Sequence, residues 1–268
     1  MLPILFKLGP ITIHTYGFLL AIGFIVAMIL GMKLGKEDGI NTKDLSDLIF
    51  FSIIIGLLGA KIYLFFTEFS YYTKNPGQIK NLLTQAGVFY GGLIGGVLFA
   101  IWFIRKKKMN FKKIGDLAAP SIALGHFFGR MGCFAAGCCF GREASGCSVG
   151  VTFPDLSQET GVPIGKVLYP TQVFEAVLNL FNFIFLYILY KKYRTFDGKI
   201  FSIYIFNYSL IRFFVEYFRG DSDRGYIIGS MNSPFASLSI PQFISLIGIF
   251  TSVFLYLFFK KRYLKKTA

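Results

Sequence analysis

Seven stretches of this 268-residue chain are dominated by apolar side chains over close to the length that crosses a hydrocarbon core, about 20 residues. They cover residues 14–32, 47–66, 87–104, 116–137, 170–190, 200–218 and 240–259, with polar or turn-rich connections between them. The first stretch does not read as a signal peptide. Lys7 is the only basic residue before it, and no small-residue cleavage site follows. The pattern predicts an all-α polytopic membrane protein of seven transmembrane helices, folded as one integral-membrane domain over residues 1–268 with no internal repeat.

Composition agrees with this reading. Hydrophobic residues make up 54% of the chain and charged residues only 16%, where a soluble domain carries about 25% charged residues. The 33 Phe and 15 Tyr rule out a chain that avoids burial. The net charge of +14 would suggest a nucleic-acid partner in a soluble protein. Here its distribution matters more than its sum. Eighteen Lys and Arg fall in the segments Lys33–Lys43, Arg105–Lys113, Lys191–Lys199 and Lys260–Lys266, and seven fall on the alternate side. The positive-inside rule then puts the N-terminus outside and the C-terminus in the cytoplasm, as an odd number of spans requires. Most of the charge is topology and attraction to anionic lipid, so no nucleic-acid partner is expected.

The outside (periplasmic-side) connections are the long ones: Thr67–Ala86, Cys138–Tyr169 and Arg219–Ser239. Long loops in a compact architecture are more often functional than connective, which points to an outside working face. Three basic residues remain within the spans, Lys61, Arg130 and Arg212. Each costs about 2.5–3.5 kcal/mol on insertion scales, so each needs a partner or a function. Arg212 stands four residues before Glu216, one helical turn apart. That spacing fits a structural ion pair or an anion site in which Glu216 orients Arg212. Arg130 has no carboxylate three or four residues away. It reads either as an unpaired guanidinium awaiting an external anion or as a side chain snorkelling to the surface. Snorkelling also accounts for Lys61.

Around Arg130 the sequence is dense in small residues, from Gly125-His126 through Gly129-Arg130-Met131-Gly132-Cys133 to Cys138-Cys139-Phe140-Gly141-Arg142. The four cysteines follow a C-x4-CC-x7-C spacing that matches no zinc or redox motif, so no metal is expected. Buried packing, an outside disulfide involving Cys147 and a catalytic thiol are the three readings they leave open. Gly91/Gly95 and Gly92/Gly96 predict close helix packing. Tyr16 and Tyr90 open their spans at the outer level, where interfacial aromatics are common.

Together these elements resemble the prolipoprotein diacylglyceryl transferase family of bacterial membrane enzymes. The resemblance runs through His14-Thr15-Tyr16-Gly17, Gly59-Ala60-Lys61-Ile62-Tyr63, Tyr90-Gly91-Gly92 and Gly129-Arg130-Met131-Gly132-Cys133-Phe134 with Gly141-Arg142. It continues in Tyr169-Pro170-Thr171-Gln172-Val173-Phe174-Glu175 and Arg212-Phe213-Phe214-Val215-Glu216-Tyr217-Phe218-Arg219. What it implies is transfer of the diacylglyceryl group of phosphatidylglycerol to the lipobox cysteine of a preprolipoprotein signal peptide, with glycerol phosphate leaving. The location implied is the bacterial cytoplasmic (inner) membrane, and no cofactor is implied. Arg130, Arg212, Glu216 and Tyr90 then share the catalytic positions, Arg130 also as the lipid phosphate ligand. Tyr16, Lys61, His126, Gly141, Arg142 and Glu175 are expected at the substrate sites. Tyr90 stands where many members have His before the Gly-Gly pair, and Lys61 stands where Arg is common. Cys133, Ala136 and Cys138 replace Asn, Asn and an acidic residue. Because the substrate supplies the attacking thiol, the chain's own cysteines are expected to be dispensable for the chemistry. His126, near Arg130, is a candidate proton acceptor. The competing classes are an inactive or divergent lipid-binding relative and a small membrane transporter.

Overall fold

The computed structural model describes residues 2–9, 11–80, 82, 87–144, 146, 148–154, 162–221, 225–230 and 234–267. Its contacts resolve two compact units, Met1–Gly31 with Gly115–Ala268, and Met32–Ile114. Seven long helices among the described residues match the seven apolar stretches. They are α1 (Thr15–Glu37), α2 (Thr42–Thr67), α4 (Phe89–Lys106), α5 (Phe111–Ala136), α6 (Thr171–Lys192), α7 (Lys199–Glu216) and α8 (Ile240–Thr267). A short helix, α3 (Phe69–Lys74), follows α2.

Several helices outrun the apolar stretch that signals them, because capping side chains let polar turns join. Asn41 accepts hydrogen bonds from the backbone N–H groups of Lys43 and Asp44, at 3.0 and 3.1 Å, so α2 begins at Thr42. Asn110 accepts from Lys112 at 3.0 Å and opens α5 at Phe111 in the same way. Five helices, α1, α2, α4, α6 and α8, are long and apolar enough to cross a membrane. The remaining two, α5 and α7, carry Asp116, His126 and Arg130, and Arg212 and Glu216. All of these except Asp116 were singled out above as candidates for function.

Among the described residues, three short antiparallel pairs lie outside the long helices, a feature absent from the all-α expectation: β1 (Ile4–Leu8) with β2 (Ile11–His14), β3 (Val151–Thr152) with β4 (Val167–Leu168), and β5 (Tyr226–Ile228) with β6 (Leu238–Ser239). In the Cys138–Tyr169 connection, Phe140, Phe153, Val162 and Leu168 bury against one another with Phe134 of α5 packed alongside. That connection therefore has a small core of its own.

In the unit Met32–Ile114, α2 and α4 approach closely along glycines. A Cβ placed on Gly59 would stand 2.6 Å from the Gly91 carbonyl oxygen, and one on Gly92 would stand 3.2 Å from that of Gly56. The glycine pairs of α4 therefore serve helix packing, since small residues let two backbones approach closely in lipid. In the other unit, Asp116 of α5 accepts the backbone N–H groups of Gly198 and Phe201, at 2.8 and 2.9 Å, and so caps α7 from a neighbouring helix. Gly59→Leu should separate α2 from α4 and destabilise the protein by about 1–3 kcal/mol. Thermal unfolding of the purified protein checks this; an unchanged melting temperature would contradict the close packing.

Candidate active site

Helix α5 ends, α6 begins, α7 ends and α8 begins at one end of their unit, which also carries the Cys138–Tyr169 and Arg219–Ser239 connections. The charged residues of the spans gather there. Arg130 sits two turns before the end of α5, Glu175 in the first turns of α6, and Arg212 and Glu216 in the last turns of α7. Arg130 Nη2 lies 2.9 Å from Glu175 Oε1. Arg212 Nη1 donates to Glu175 Oε2 at 3.2 Å, and Arg212 Nη2 donates to Glu216 Oε2 at 3.0 Å. One carboxylate thus holds two guanidinium groups, and a second steadies one of them.

The reading of Arg130 as unpaired is corrected by this geometry. Its partner lies 45 positions along the chain on another helix, beyond any search confined to three or four residues. The Arg212–Glu216 pair has the geometry its spacing foretold. Behind it, Ser239 Oγ donates to Glu216 Oε1 at 3.0 Å, and the Gln242 side chain accepts from the Ser239 N–H at 3.0 Å. These two supports were not anticipated, since nothing in their local sequence marks them.

Burial orders the network. The side chain of Glu175 is 0% exposed and that of Glu216 1%, whereas Arg130 and Arg212 keep 15% and 14%. The carboxylates are shut off from solvent, and the arginines keep a small exposed part. Arg130 Nε is buried without a hydrogen-bond partner among the described residues. Buried guanidinium donors are costly to leave unpaired.

Other candidate residues surround this end. Tyr16 of α1 packs on Gly132, where a Cβ would approach the Tyr16 ring to 3.2 Å; this places the aromatic beside the arginine turn of α5. His126, one turn before Arg130, lies 5.1 Å from the ring of Tyr208 on α7. Gly141 and Arg142 run extended between two other segments. The Gly141 N–H donates to Tyr169 O at 2.9 Å, and the Arg142 N–H donates to Phe218 O at 2.8 Å. A Cβ on Gly141 would collide with Tyr169, so glycine is required for backbone to meet backbone here. The Arg142 guanidinium stands 6.0 Å from the exposed ring of Phe235, at the outer limit for a cation–π contact. Arg219, in the segment beside Gly141, makes a two-pronged pair with Asp221 at 2.8 and 2.5 Å. Burial penalises the Arg219 charge, but the Asp221 hydrogen bond more than offsets it and holds the group above its ordinary range.

Lys61 and Tyr90 belong to the unit Met32–Ile114. Lys61 Nζ donates to Leu82 O at 2.9 Å, and Tyr90 is half exposed with its ring edge-on to Phe89 at 5.8 Å. The structure therefore joins Arg130, Glu175, Arg212 and Glu216 in one network and describes Lys61 and Tyr90 within the other unit.

A polar row missed in the sequence extends from the network along α6. Gln172, Glu175, Asn179 and Asn182 recur at intervals of three, four and three, all buried. That spacing marks one helical face and could have flagged Glu175 as a residue facing other helices. Asn207 of α7 donates to Asn182 Oδ1 at 2.9 Å, so the polar groups reach further along the helices than the sequence suggested.

The cysteines fall into place at the end of α5. Gly137, with φ 79°, closes the helix: its N–H donates to Phe134 O at 3.3 Å while the Cys138 N–H returns to Cys133 O at 3.2 Å, the double bond of a Schellman turn. Cys133, Cys138 and Cys139 are free thiols, and their sulfurs all lie within 4.8 Å of one another. Cys147, and with it the expected disulfide, lies outside the described residues.

Five helices long and apolar enough to cross a membrane, together with an arginine–carboxylate network among helix ends, define a polytopic membrane protein. Sequence comparison is more specific: the family profile described as "Prolipoprotein diacylglyceryl transferase" matches residues 3–258. A relative from Clostridium perfringens named phosphatidylglycerol–prolipoprotein diacylglyceryl transferase 2 is 35% identical over 253 residues, covering 94% of this chain and 93% of its own. Its namesake from Clostridium tetani is 34% identical over 256 residues, covering 96% and 97%. The chain belongs to the prolipoprotein diacylglyceryl transferase family.

Glu175→Gln should strip both arginines of their shared counter-charge and destabilise the protein by about 3–5 kcal/mol, the cost of breaking a buried pair. Ser239→Ala should cost only about 1 kcal/mol. Thermal unfolding of both variants checks the order; equal small shifts would mean that Glu175 does not hold the network.

Proposed function

We propose that this chain transfers the diacylglyceryl group of phosphatidylglycerol to the lipobox cysteine thiol of preprolipoprotein signal peptides, releasing glycerol phosphate. It does so as a single integral-membrane domain over residues 1–268, in the bacterial cytoplasmic (inner) membrane. All seven long helices cross, with the N-terminus outside and the C-terminus in the cytoplasm. The alternation of basic loops supports that orientation, which puts the arginine network on the outside face.

The observation that carries this reading is the pair of guanidinium groups on one sealed carboxylate, each keeping a small exposed part. In the reaction the peptide thiolate attacks the glyceryl carbon that bears the phosphate oxygen. A carbon–sulfur bond forms, the carbon–oxygen bond breaks, and its electron pair leaves with the phosphate. Charge therefore grows on phosphate oxygens as the head group departs. Fixed donors in a low-dielectric site are suited to that growing charge, each typically contributing about 3–4 kcal/mol to the transition state. Arg130 is the phosphate ligand, through the part of its side chain that stays exposed. Arg212 is the second donor, with Glu216 orienting it and Glu175 setting its separation from Arg130.

A free thiol has a pKa of about 8.5, so a few per cent is already ionised at neutral pH, and a cationic pocket raises that fraction. The proton acceptor can accordingly be weak. His126, one turn from Arg130, is a candidate in the same unit. Tyr90 and Lys61 enter by their motif positions alone, Tyr90 at a catalytic position and Lys61 at a substrate site. Tyr16, Gly141 and Arg142 border the arginine end and contribute to substrate binding there.

Arg130→Ala should abolish transfer from phosphatidylglycerol to a lipobox peptide while leaving the protein folded and membrane-inserted. Turnover by the purified variant in lipid checks this, with size-exclusion behaviour as the folding control. Near-normal turnover would remove Arg130 from the reaction.

A further inference from the structure

Three thiols converge on one point at the end of α5, and the proposed transfer uses none of them. Cys133 lies on the last turn of the helix. The Schellman turn at Gly137 folds the chain back, so Cys138 and Cys139 return their sulfurs to that of Cys133, all within 4.8 Å. The return is held in place by two buried side chains of α6. Gln172 Nε2 donates to Cys138 O at 2.7 Å, and Thr171 Oγ1 donates to Cys139 O at 2.9 Å. Cys139 has a left-handed backbone, φ 61°, uncommon for a residue other than glycine, Asn or Asp. A disulfide would use two of these sulfurs. This backbone brings in a third.

We propose that Cys133, Cys138 and Cys139 form a three-thiolate site for a thiophilic d10 cation, zinc(II) above all, fastening the end of α5 to the connection that follows it. Zinc–thiolate bonds are about 2.3 Å long, so three sulfurs around one ion stand about 4 Å apart, inside the 4.8 Å within which all three sulfurs lie here. An all-sulfur donor set without carboxylate selects soft cations over magnesium or calcium. Each thiol gives its proton to solvent and a lone pair to the ion, and no electron is transferred. A fourth position remains for water. The C-x4-CC spacing resembles no zinc motif because the turn, not the spacing, makes the cluster.

This inference does not rest on the transferase reading, and its test does not read transfer. The full-length chain, carrying Cys147→Ser so that only the three thiols remain, is purified in detergent under reductant without an affinity tag. It is loaded with cobalt(II) and desalted. The expected result is one equivalent of retained cobalt with a thiolate-to-cobalt charge-transfer band, displaced stoichiometrically by zinc(II). Cys133→Ser, Cys138→Ser and Cys139→Ser should each weaken retention at least about tenfold, since even residues that merely support a ligand cost about 10–100-fold. Should a serine variant fail to fold, alkylation of the otherwise unaltered chain decides: zinc should shield the three thiols from N-ethylmaleimide and a chelator should expose them. No retained cobalt, a band lacking thiolate character, labelling indifferent to zinc, or a disulfide among the three would overturn the proposal.

Discussion

Glu175 can satisfy two arginines only if three helix ends meet around it, and much of this unit follows from that requirement. Inserting Arg130 and Arg212 into a membrane costs about 2.5–3.5 kcal/mol each on insertion scales. A carboxylate wholly removed from solvent is costlier still without cationic partners. The two problems solve each other where α5, α6 and α7 place Arg130, Glu175 and Arg212 within 2.9–3.2 Å. Glu216, Ser239 and Gln242 carry the same logic to the start of α8. In the proposed function the carboxylates fix the arginines and leave their exposed parts to an anion. In the proposed reaction that anion is the phosphate of the departing head group.

The same constraint explains why α5 and α7 are the two long helices that fall short of the apolarity of a free-standing span. They expose their polar residues to neighbouring helices rather than to lipid: Asp116 caps α7, and Asn207 bonds Asn182 across to α6. Stability in this part of the chain is thus a property of the group of helices, not of each span alone. The α2–α4 pair shows the opposite solution, with glycines and close backbone contact in place of charge.

Seven long helices among the described residues were legible from the sequence, five of them apolar enough to cross a membrane, because a long apolar run has few alternatives in water or lipid. Their ends were less legible, since Asn41 and Asn110 recruit polar turns that hydropathy cannot assign. Arg212 and Glu216 could be paired because helical geometry is local. Arg130 and Glu175 could not, being 45 residues apart, although the buried face of α6 carried a usable spacing in Gln172, Glu175, Asn179 and Asn182. The short hairpins and the thiol cluster depend on turns, where a single left-handed residue such as Gly137 or Cys139 redirects the chain. Such residues leave little periodic trace.

In the proposed reaction Glu175 couples Arg130 and Arg212 into one phosphate-holding unit. The most direct test of this coupling is a double-mutant cycle with Arg130→Lys and Arg212→Lys, which keep the charges but lose the planar fork. Transfer rates would be measured for the single variants, the double variant and the unaltered chain in the same lipid. Residues acting as one unit lose rate together, so the double variant should be little slower than the slower single variant. Losses that add in the logarithm of the rate would mean that the two arginines act independently, and would contradict the shared role given to Glu175.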